Sequence, residues 1–193
     1  MRAGAPGGVR QSAATMRAAD PLIPAIAGDG SLYPIGKMEA HEKGQKHLAI
    51  SAFVFCGELL LLQRRAAGKY HCPGQWANTC CTHPHWGEAV EAAAHRRLGE
   101  ELGLAAELSP RGVVEYRAEV GNGLTEHEVV HVFEGHLKQP ILPDSHDPHE
   151  VAETRWASLA ELSAEIEADP DSFTPWLRIY LQRWNELDLR MAA

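Results

Sequence analysis

The sequence contains few cysteines and lacks a long apolar run, and each shortage excludes a class of protein. Its 193 residues include four cysteines without a C-x-x-C pair, which argues against a disulfide framework and a structural zinc knuckle. A reducing cytoplasm is therefore the expected location. Even the apolar stretch LLLLQ at 59–63 stops at Arg64 and Arg65, far short of the roughly 20 residues that a membrane-spanning helix needs. We expect no membrane association.

Basic residues are also in deficit. The 18 lysines and arginines face 26 acidic residues, and the formal net charge of −8 argues against a general nucleic-acid or anionic-membrane binder. A local basic pocket for a small anion is compatible with this balance. The hydrophobic share of 45% is typical of one globular domain, and we expect it to be monomeric.

The first residues differ in composition from the rest. Positions 1–20 are rich in Ala, Gly and Arg, contain no acidic residue before Asp20, and lack the apolar core of a secretory signal. We predict a flexible extension over 1–21, followed by the folded domain at 22–193. An organelle transit peptide is the alternative for this extension, and Met16 could serve as the start of translation.

Apolar and alternating runs predict strands at 48–55, 59–64, 113–120, 126–137 and 153–158. The first two flank Cys56–Glu58 as a hairpin, and the Gly121–Gly123 segment is the predicted turn between the next two. The stretch from Pro140 to His149 is predicted as a loop.

Helical spacing of apolar residues predicts a helix over Glu88–Leu102, stopped by Gly103. Ser158 and Glu161 form an S-x-x-E capping box before a second helix, and Thr174–Pro175 predicts an N-cap for the last one. Strands interrupted by helices indicate an α/β or α+β sandwich, with helices on the faces of a sheet.

The helix over 88–102 carries a spaced set of charged residues. Taken alone, such a run of charges is as typical of a solvated helix face as of a binding site. Its wider spacing resembles the Nudix box, G-x5-E-x7-R-E-U-x-E-E-x-G-U, through Glu88, Arg96, Leu98, Glu100, Glu101, Gly103 and Leu104. That resemblance implies a loop and helix whose carboxylates hold a divalent metal on a substrate diphosphate.

Two positions depart from the box. Thr82 stands at its leading glycine, and Arg97 stands at one of its catalytic glutamates. Diphosphate hydrolysis uses metal ions to activate water, and a guanidinium cannot ligate a cation although it binds phosphate oxygens well. The helix is therefore expected to hold a diphosphate without cleaving it.

The segment before the helix, WANTCCTHP at 76–84, sharpens the resemblance. Together with the degenerate box, its W-x-N-x-x-C-x-H-P pattern resembles the type I isopentenyl-diphosphate isomerases, a Nudix branch. The likeness runs from about Leu22 through the last helix and implies a Nudix-type α/β/α sandwich with a mixed sheet. It also implies conversion of isopentenyl to dimethylallyl diphosphate, a 1,3-allylic rearrangement in isoprenoid biosynthesis.

The cysteine that matches the family's active-site cysteine is Cys81, whereas Cys80 is expected to be a small buried apolar residue. His83 follows Cys81 by two positions, so in an extended segment the two side chains face the same side. The resemblance implies that Glu128, beside Tyr116, delivers the proton that starts the reaction. A Cys81 thiolate removes the proton that ends it, and the opposite direction exchanges the roles.

Tyr116 and Trp176 each have a plainer alternative as packing aromatics. The resemblance nevertheless places Tyr116 next to the acid, and it implies that the indole face of Trp176 stabilises a carbocation.

For a divalent metal, the resemblance assigns three histidines and two glutamates, which are His41, His47, His83, Glu126 and Glu128. Mixed imidazole and carboxylate ligation suits Mn²⁺ or Zn²⁺ better than Mg²⁺. Ordinary surface or structural histidines are expected at His85, His95, His127, His131, His136, His146 and His149.

For the diphosphate, the resemblance assigns four basic residues, Lys37, Arg65, Lys69 and Arg97, together with a Mg²⁺ held by Glu101 near Cys81. Solvent-exposed basic side chains are the plainer alternative, above all for the loop residue Lys69. Glu88 and Glu100 are expected to act as capping or supporting carboxylates.

Two other functions compete with this hypothesis. A Nudix diphosphohydrolase acting on a nucleotide derivative would need the full set of helix carboxylates, and it gives no reason for Cys81 and His83 to coexist with Glu126 and Glu128. A non-catalytic metal or nucleotide sensor on the same fold would bind metal without isomerase activity.

Overall fold

The computed structural model describes residues 20–190, and positions 1–19 of the predicted extension lie outside them. The strands are β1 (Leu22–Ile26), β2 (Leu32–Gly36), β3 (His47–Cys56), β4 (Leu59–Arg65), β5 (Trp76–Ala77), β6 (Cys80–Thr82), β7 (Leu108–Glu119), β8 (Thr125–His136) and β9 (Val151–Ser158). The α-helices are α1 (Lys37–Lys43), α2 (Val90–Leu102), α3 (Leu159–Ala168) and α4 (Pro175–Gln182), with 3-10 turns at Pro170–Ser172 and Trp184–Glu186. None of the helices within 20–190 is long and apolar enough to cross a membrane.

Strand β3 organises a mixed sheet. It runs parallel to β8 over most of its length and antiparallel to β6. With β4 it pairs only at Phe55 and Cys56, beside the turn at Gly57, whose φ of 56° suits glycine. At Gln63 and Arg64 strand β4 pairs with β5 instead, while β9 pairs with β4 from Leu59 to Arg65. The two strands of the hairpin therefore separate towards His47 and Arg65, and the candidate site forms at this open end.

The core has two layers because successive β3 side chains face opposite sides of the sheet. Ile50 packs with Leu98 of α2 on one face. On the other face Phe53 meets Tyr180 of α4, edge to face at 5.6 Å between ring centroids. Each fully buried side chain of this size contributes roughly 1.5–3 kcal/mol. The predicted α/β/α sandwich is confirmed.

The predicted elements are present with shifted ends. Strand β7 begins at Leu108 rather than at Val113, and α2 begins at Val90 because the carboxylate of Glu88 is bound in the preceding turn. The capping box of Ser158 and Glu161 is formed on both sides.

Thr174 is the N-cap of α4 and Pro175 is its first residue, as predicted. The buried hydroxyl of Thr174 nevertheless has no hydrogen-bond partner, so the cap lacks a side-chain contact. The sequence patterns predict neither the β1–β2 hairpin nor α1. Prolines at 24 and 34 lower the strand signal, and the seven residues of α1 are too few for a clear helical period.

Candidate active site

A pocket lies at the open end of the β3–β4 hairpin. It encloses about 30 Å³, or about 440 Å³ when its open mouth is included. Eleven of the predicted site residues line it: Lys37, Arg65, Lys69, Cys81, His83, Arg97, Glu101, Tyr116, Glu126, Glu128 and Trp176. The other two, His41 and His47, are fully buried and contact His83. The fold thus gathers residues that are far apart in the chain.

Four of the predicted metal ligands form a compact buried cluster. Their nearest ligand atoms all lie within 4.8 Å of one another and come from His41, His47, His83 and Glu128. Nε2 of His83 is 3.1 Å from Nε2 of His47 and 2.9 Å from Oε1 of Glu128. Three imidazoles and a carboxylate at these distances are a suitable donor set for a divalent transition metal.

Two of the imidazoles are held in the orientation that a metal needs. Nδ1 of His41 donates to the carbonyl of Lys37, and Nδ1 of His47 donates to the carbonyl of Gln45, each at 2.7 Å. In a neutral ring this leaves the Nε2 lone pair facing the cluster. Nε2 of His41 is buried and has no hydrogen-bond partner, as expected for a ligand atom. Burial lowers the pKa of His41 to about 4, so the lone pair is free at neutral pH.

Tyr116 connects the two glutamates of β8. Its hydroxyl is 2.8 Å from Oε2 of Glu126 and 2.8 Å from Oε2 of Glu128. Because a phenol carries one proton, it donates to one carboxylate and accepts from the other when that one is protonated. Burial and the neighbouring Glu128 raise the pKa of Glu126. Burial acts the same way on Glu128, but contacts with His47 and His83 outweigh it and hold its pKa well below the usual value. Of the two carboxyl groups, Glu126 is therefore the more readily protonated.

The thiol of Cys81 faces the pocket from β6. Its sulfur donates to Oδ1 of Asn78 at 3.0 Å and lies 3.1 Å from Oγ of Ser51. The amide of Asn78 is fixed in turn by hydrogen bonds to Ser51 and to the carbonyl of Ala52. Burial raises the pKa of Cys81 to about 12, although the hydrogen bonds to Ser51 and Asn78 oppose this shift. The thiol is therefore protonated at neutral pH.

Four basic side chains also line the pocket, and we call them the cationic wall: Lys37, Arg65, Lys69 and Arg97. Burial, followed by the charges of Lys69 and Arg97, lowers the pKa of Lys37 to about 8. The guanidinium of Arg65 lies 5.2 Å from the centre of the Trp176 ring. Cations that converge against their mutual repulsion indicate a site for a multiply charged anion.

The comparisons with known proteins agree with this geometry. Residues 45–177 match the model of the NUDIX domain. A curated isopentenyl-diphosphate Delta-isomerase from Cereibacter sphaeroides is 57% identical over 83% of this chain and 90% of its own length. One from Rhodobacter capsulatus is 52% identical over 88% of this chain and 96% of its own length.

The chain belongs to the isopentenyl-diphosphate Delta-isomerases of the NUDIX superfamily.

Solved structures support the fold. A protein from Deinococcus radiodurans superposes with a TM-score of 0.68 at 16% identity, over 84% of this chain and 98% of its own. A MutT NUDIX hydrolase from Burkholderia pseudomallei gives a TM-score of 0.56 at 27% identity, over 72% of this chain and 97% of its own.

In this isomerase-family chain, Arg97 pairs with the carboxylates of its own helix. Its Nη1 is 2.9 Å from Glu100 and its Nη2 is 2.6 Å from Glu101. The second oxygen of Glu101 accepts from the amide of Gln63 at 3.0 Å. Carboxylates that a NUDIX hydrolase would offer to metal ions are thus bound to a guanidinium.

The Mg²⁺ site that the sequence assigned to Glu101 and Cys81 stays a prediction. Within residues 20–190, Glu101 is not part of a compact group of metal-capable side chains. Mg²⁺ binds oxygen rather than thiol ligands and often uses one or two carboxylates with substrate phosphates. Glu101 can therefore contribute one ligand, whereas the thiol of Cys81 is not suited to the role.

Glu88 and Glu100 support the helix, as the sequence predicted. Oε1 and Oε2 of Glu88 each accept from Arg96 at 2.7 Å, and Oε2 also accepts from the backbone N–H of His85. Glu100 accepts from Arg96 at 3.2 Å in addition to its contact with Arg97.

Sequence reasoning missed five residues of the site, which are Ser51, Tyr70, His71, Asn78 and Glu150. Asn78 stands inside the WANTCCTHP motif, so a role could have been sought there. His71 and Glu150 lie in segments without periodicity, and only the fold brings them to the pocket. Glu150 contacts Nζ of Lys69 at 2.5 Å and Nη2 of Arg97 at 3.3 Å.

Proposed function

We propose that this protein isomerises isopentenyl diphosphate to dimethylallyl diphosphate by adding a proton to one carbon and removing one from another. The observation that carries this function is the presence, in one pocket, of a protonated thiol at Cys81 and an ionised carboxylate at Glu128 beside a wall of four cations. The isomerase relatives, 52–57% identical, support it.

The cationic wall holds the diphosphate. Guanidinium groups bind phosphate oxygens through paired N–H donors, and Arg65 and Arg97 supply two of them. Trp176, with 2% of its surface exposed, is placed to stabilise positive charge on a hydrocarbon tail through its indole. Since the guanidinium of Arg65 already lies over the ring of Trp176, the substrate has to approach Trp176 from another side.

The buried histidine–glutamate cluster suits a divalent metal, which we propose to be Mn²⁺ or Zn²⁺, with Glu126 as a fifth ligand. When bound, such an ion supplies a fixed positive charge that orients and acidifies the carboxyl groups around it. A Mg²⁺ is the second cofactor that we propose; Glu101 would contribute to holding it, and the ion would supply positive charge to offset that of the diphosphate.

The pocket residues carry out the proton transfers. The double bond receives a proton at its terminal carbon, a tertiary carbocation forms, and a proton leaves the carbon next to the oxygen-bearing one. Cys81 and Glu128 form the donor–acceptor pair, and Tyr116 orients Glu128 through its hydroxyl. In this structure Cys81 carries the proton and Glu128 is ionised. From this state Cys81 donates a proton to the substrate and Glu128 accepts one from it.

The order predicted from the sequence has Glu128 donate first. It requires the opposite starting state, in which Glu128 is protonated and Cys81 is a thiolate. By microscopic reversibility each group donates in one direction and accepts in the other. A functioning monomer in the cytoplasm stays a prediction from the sequence.

The experiment that tests this function is incubation of the purified protein with isopentenyl diphosphate and Mg²⁺, before and after chelation. We expect dimethylallyl diphosphate to form and the activity to fall on chelation. Release of phosphate from nucleotide diphosphates without isomerisation would instead identify a hydrolase, and metal binding without either reaction would identify a sensor.

A further inference from the structure

His71 lies in the loop between β4 and β5, in a backbone position that the chain reaches at some cost. The following residue, Cys72, has a φ of 48°, in the left-handed region that non-glycine residues rarely adopt. Such strain persists only where the surrounding structure holds it in place. His71 itself is buried, with only 4% of the residue exposed.

One side of His71 fixes Arg65 of the cationic wall. The carbonyl oxygen of His71 accepts hydrogen bonds from Nε and Nη2 of Arg65 at 3.3 and 3.1 Å. Its ring Nδ1 lies 3.4 Å from the same Nη2. Because a guanidinium only donates hydrogen bonds, Nδ1 has to be the acceptor. The single proton of the neutral imidazole is therefore on Nε2.

The other side of His71 faces the metal cluster. Nε2 lies 3.7 Å from Oε1 of Glu126, which is longer than a hydrogen bond but close enough for an N–H dipole to orient a carboxyl group. Glu126 has its other oxygen at Tyr116. The side chains of His71 and Tyr116 thus face different oxygens of Glu126.

The alternative that His71 is itself a metal ligand conflicts with these contacts. One ligand atom each from His41, His71 and Glu126 lies within 4.8 Å of the others, so the distances alone would allow it. A metal at Nε2 would need the lone pair there and would move the proton to Nδ1, directly against the donor of Arg65. The ring therefore presents an N–H group to Glu126 and no lone pair.

We infer that His71 is a positioning residue that links the two halves of the active site, fixing Arg65 for the diphosphate and orienting Glu126 for the metal. The inference rests on the proposed function for the identity of the two ligands. It explains why the chain adopts the unusual conformation at Cys72, since a relaxed bend would withdraw the imidazole from both partners.

Two conservative variants separate the two contacts. In His71→Asn the amide oxygen can replace Nδ1 as the acceptor for Arg65, whereas in His71→Gln the amide N–H can replace Nε2 as the donor to Glu126. His71→Leu removes both ring contacts. His127→Gln is the matched control, because His127 lies between Glu126 and Glu128 on the opposite face of β8 and contacts Glu115.

The test measures the binding of Mn²⁺ alone and of inorganic diphosphate alone by calorimetry on the full chain. Loss of an outer-shell partner weakens metal binding about tenfold or more. We expect His71→Leu and His71→Asn to weaken Mn²⁺ binding by about that factor, and His71→Gln to retain it. Inorganic diphosphate should show the reverse order, retained in His71→Asn and weakened in His71→Gln.

Equal behaviour of the two amide variants, or unchanged Mn²⁺ affinity in both His71→Leu and His71→Asn, would overturn the inference. If His71→Leu does not fold, as judged by circular dichroism, the comparison of Asn with Gln decides alone. Neither measurement uses isomerase turnover, so a protein that binds both probes in this pattern without isomerising would contradict the proposed function and leave the role of His71 standing.

Discussion

Cys80 and Cys81 are neighbours in the chain but lie on opposite faces of β6. Cys80 is fully buried with Ile50 and Leu98 in the layer under α2, whereas Cys81 lines the pocket and contacts Ser51. The alternation of side chains along a strand produces this separation. Two thiols of the same chemistry are therefore divided between the packed layer under α2 and the pocket.

Replacing Cys81 by Ala should reduce the rate of isomerisation at least about 100-fold, because a positioned acid or base contributes on the order of 10²–10⁴ to a rate. Cys80→Ala is the matched control and should leave the rate nearly unchanged while lowering stability by about 1 kcal/mol. Turnover of isopentenyl diphosphate and thermal unfolding measure the two effects. A comparable loss of turnover in Cys80→Ala would show that the wrong thiol has been assigned.

Removal of the metal should abolish isomerisation. Dialysis against a chelator, followed by addition of Mn²⁺ or Zn²⁺, is expected to remove and then restore activity. His83→Ala should weaken Mn²⁺ binding at least about tenfold, because the imidazole contributes one of four buried ligand groups. His85→Ala serves as the control, since its exposed side chain lies outside the cluster. Full activity after exhaustive chelation would rule out the metal.

Glu150 should compete with the substrate for the cationic wall. Its carboxylate occupies Lys69 and Arg97, and the pocket encloses only about 30 Å³ in this arrangement. Glu150→Gln removes one negative charge next to an incoming diphosphate, so inorganic diphosphate should bind about fivefold more tightly without divalent metal. The exposed Glu153 pairs with Arg64 outside the pocket and provides the control variant, Glu153→Gln. Weaker binding by Glu150→Gln would mean that Glu150 assists binding instead.

Much of this site followed from the sequence because its residues stand in short motifs. The spacing of Glu88, Arg96 and Glu101 marked a helix, and WANTCCTHP marked the thiol beside it. The contacts of His71 and Glu150 could not be predicted in this way. Each reaches the pocket from a loop, and its partners, Glu126 for His71 and Arg97 for Glu150, are about 50 residues distant in the chain.

In the fold, too, features that depend on neighbouring residues could be predicted from the sequence, whereas features that depend on tertiary packing could not. The capping box at Ser158 depends on residues three positions apart and was predicted correctly. Thr174 is the predicted N-cap of α4, but its hydroxyl is buried without a partner, so a rule based on neighbouring residues gave the position of the cap and not its side-chain contact. Tertiary packing overrides local preference at such positions.

The ion pair between Glu88 and Arg96 should make stability depend on pH. The hydrogen bonds from Arg96 lower the pKa of Glu88 from 4.5 to about 2. A carboxyl group whose pKa is lower in the folded state stabilises the fold fully at a pH above its pKa in the unfolded state. For Glu88 this contribution is lost as the pH falls from about 4.5 through about 2. Urea midpoints of wild type and Glu88→Gln should differ at neutral pH and converge in acid. The exposed Glu167→Gln is the control, and a constant difference across this pH range would contradict the assignment.

Helix α1 sets the spacing between Lys37 of the cationic wall and His41 of the histidine–glutamate cluster. Lys37 and His41 stand four residues apart on it, and Nδ1–H of His41 donates a hydrogen bond to the carbonyl of Lys37. One added residue between them would rotate His41 by about 100° around the helix axis relative to Lys37. Insertions and deletions in this single turn would therefore disable both halves of the site together, so α1 should be a segment in which functional members of the family tolerate substitutions but no change in length.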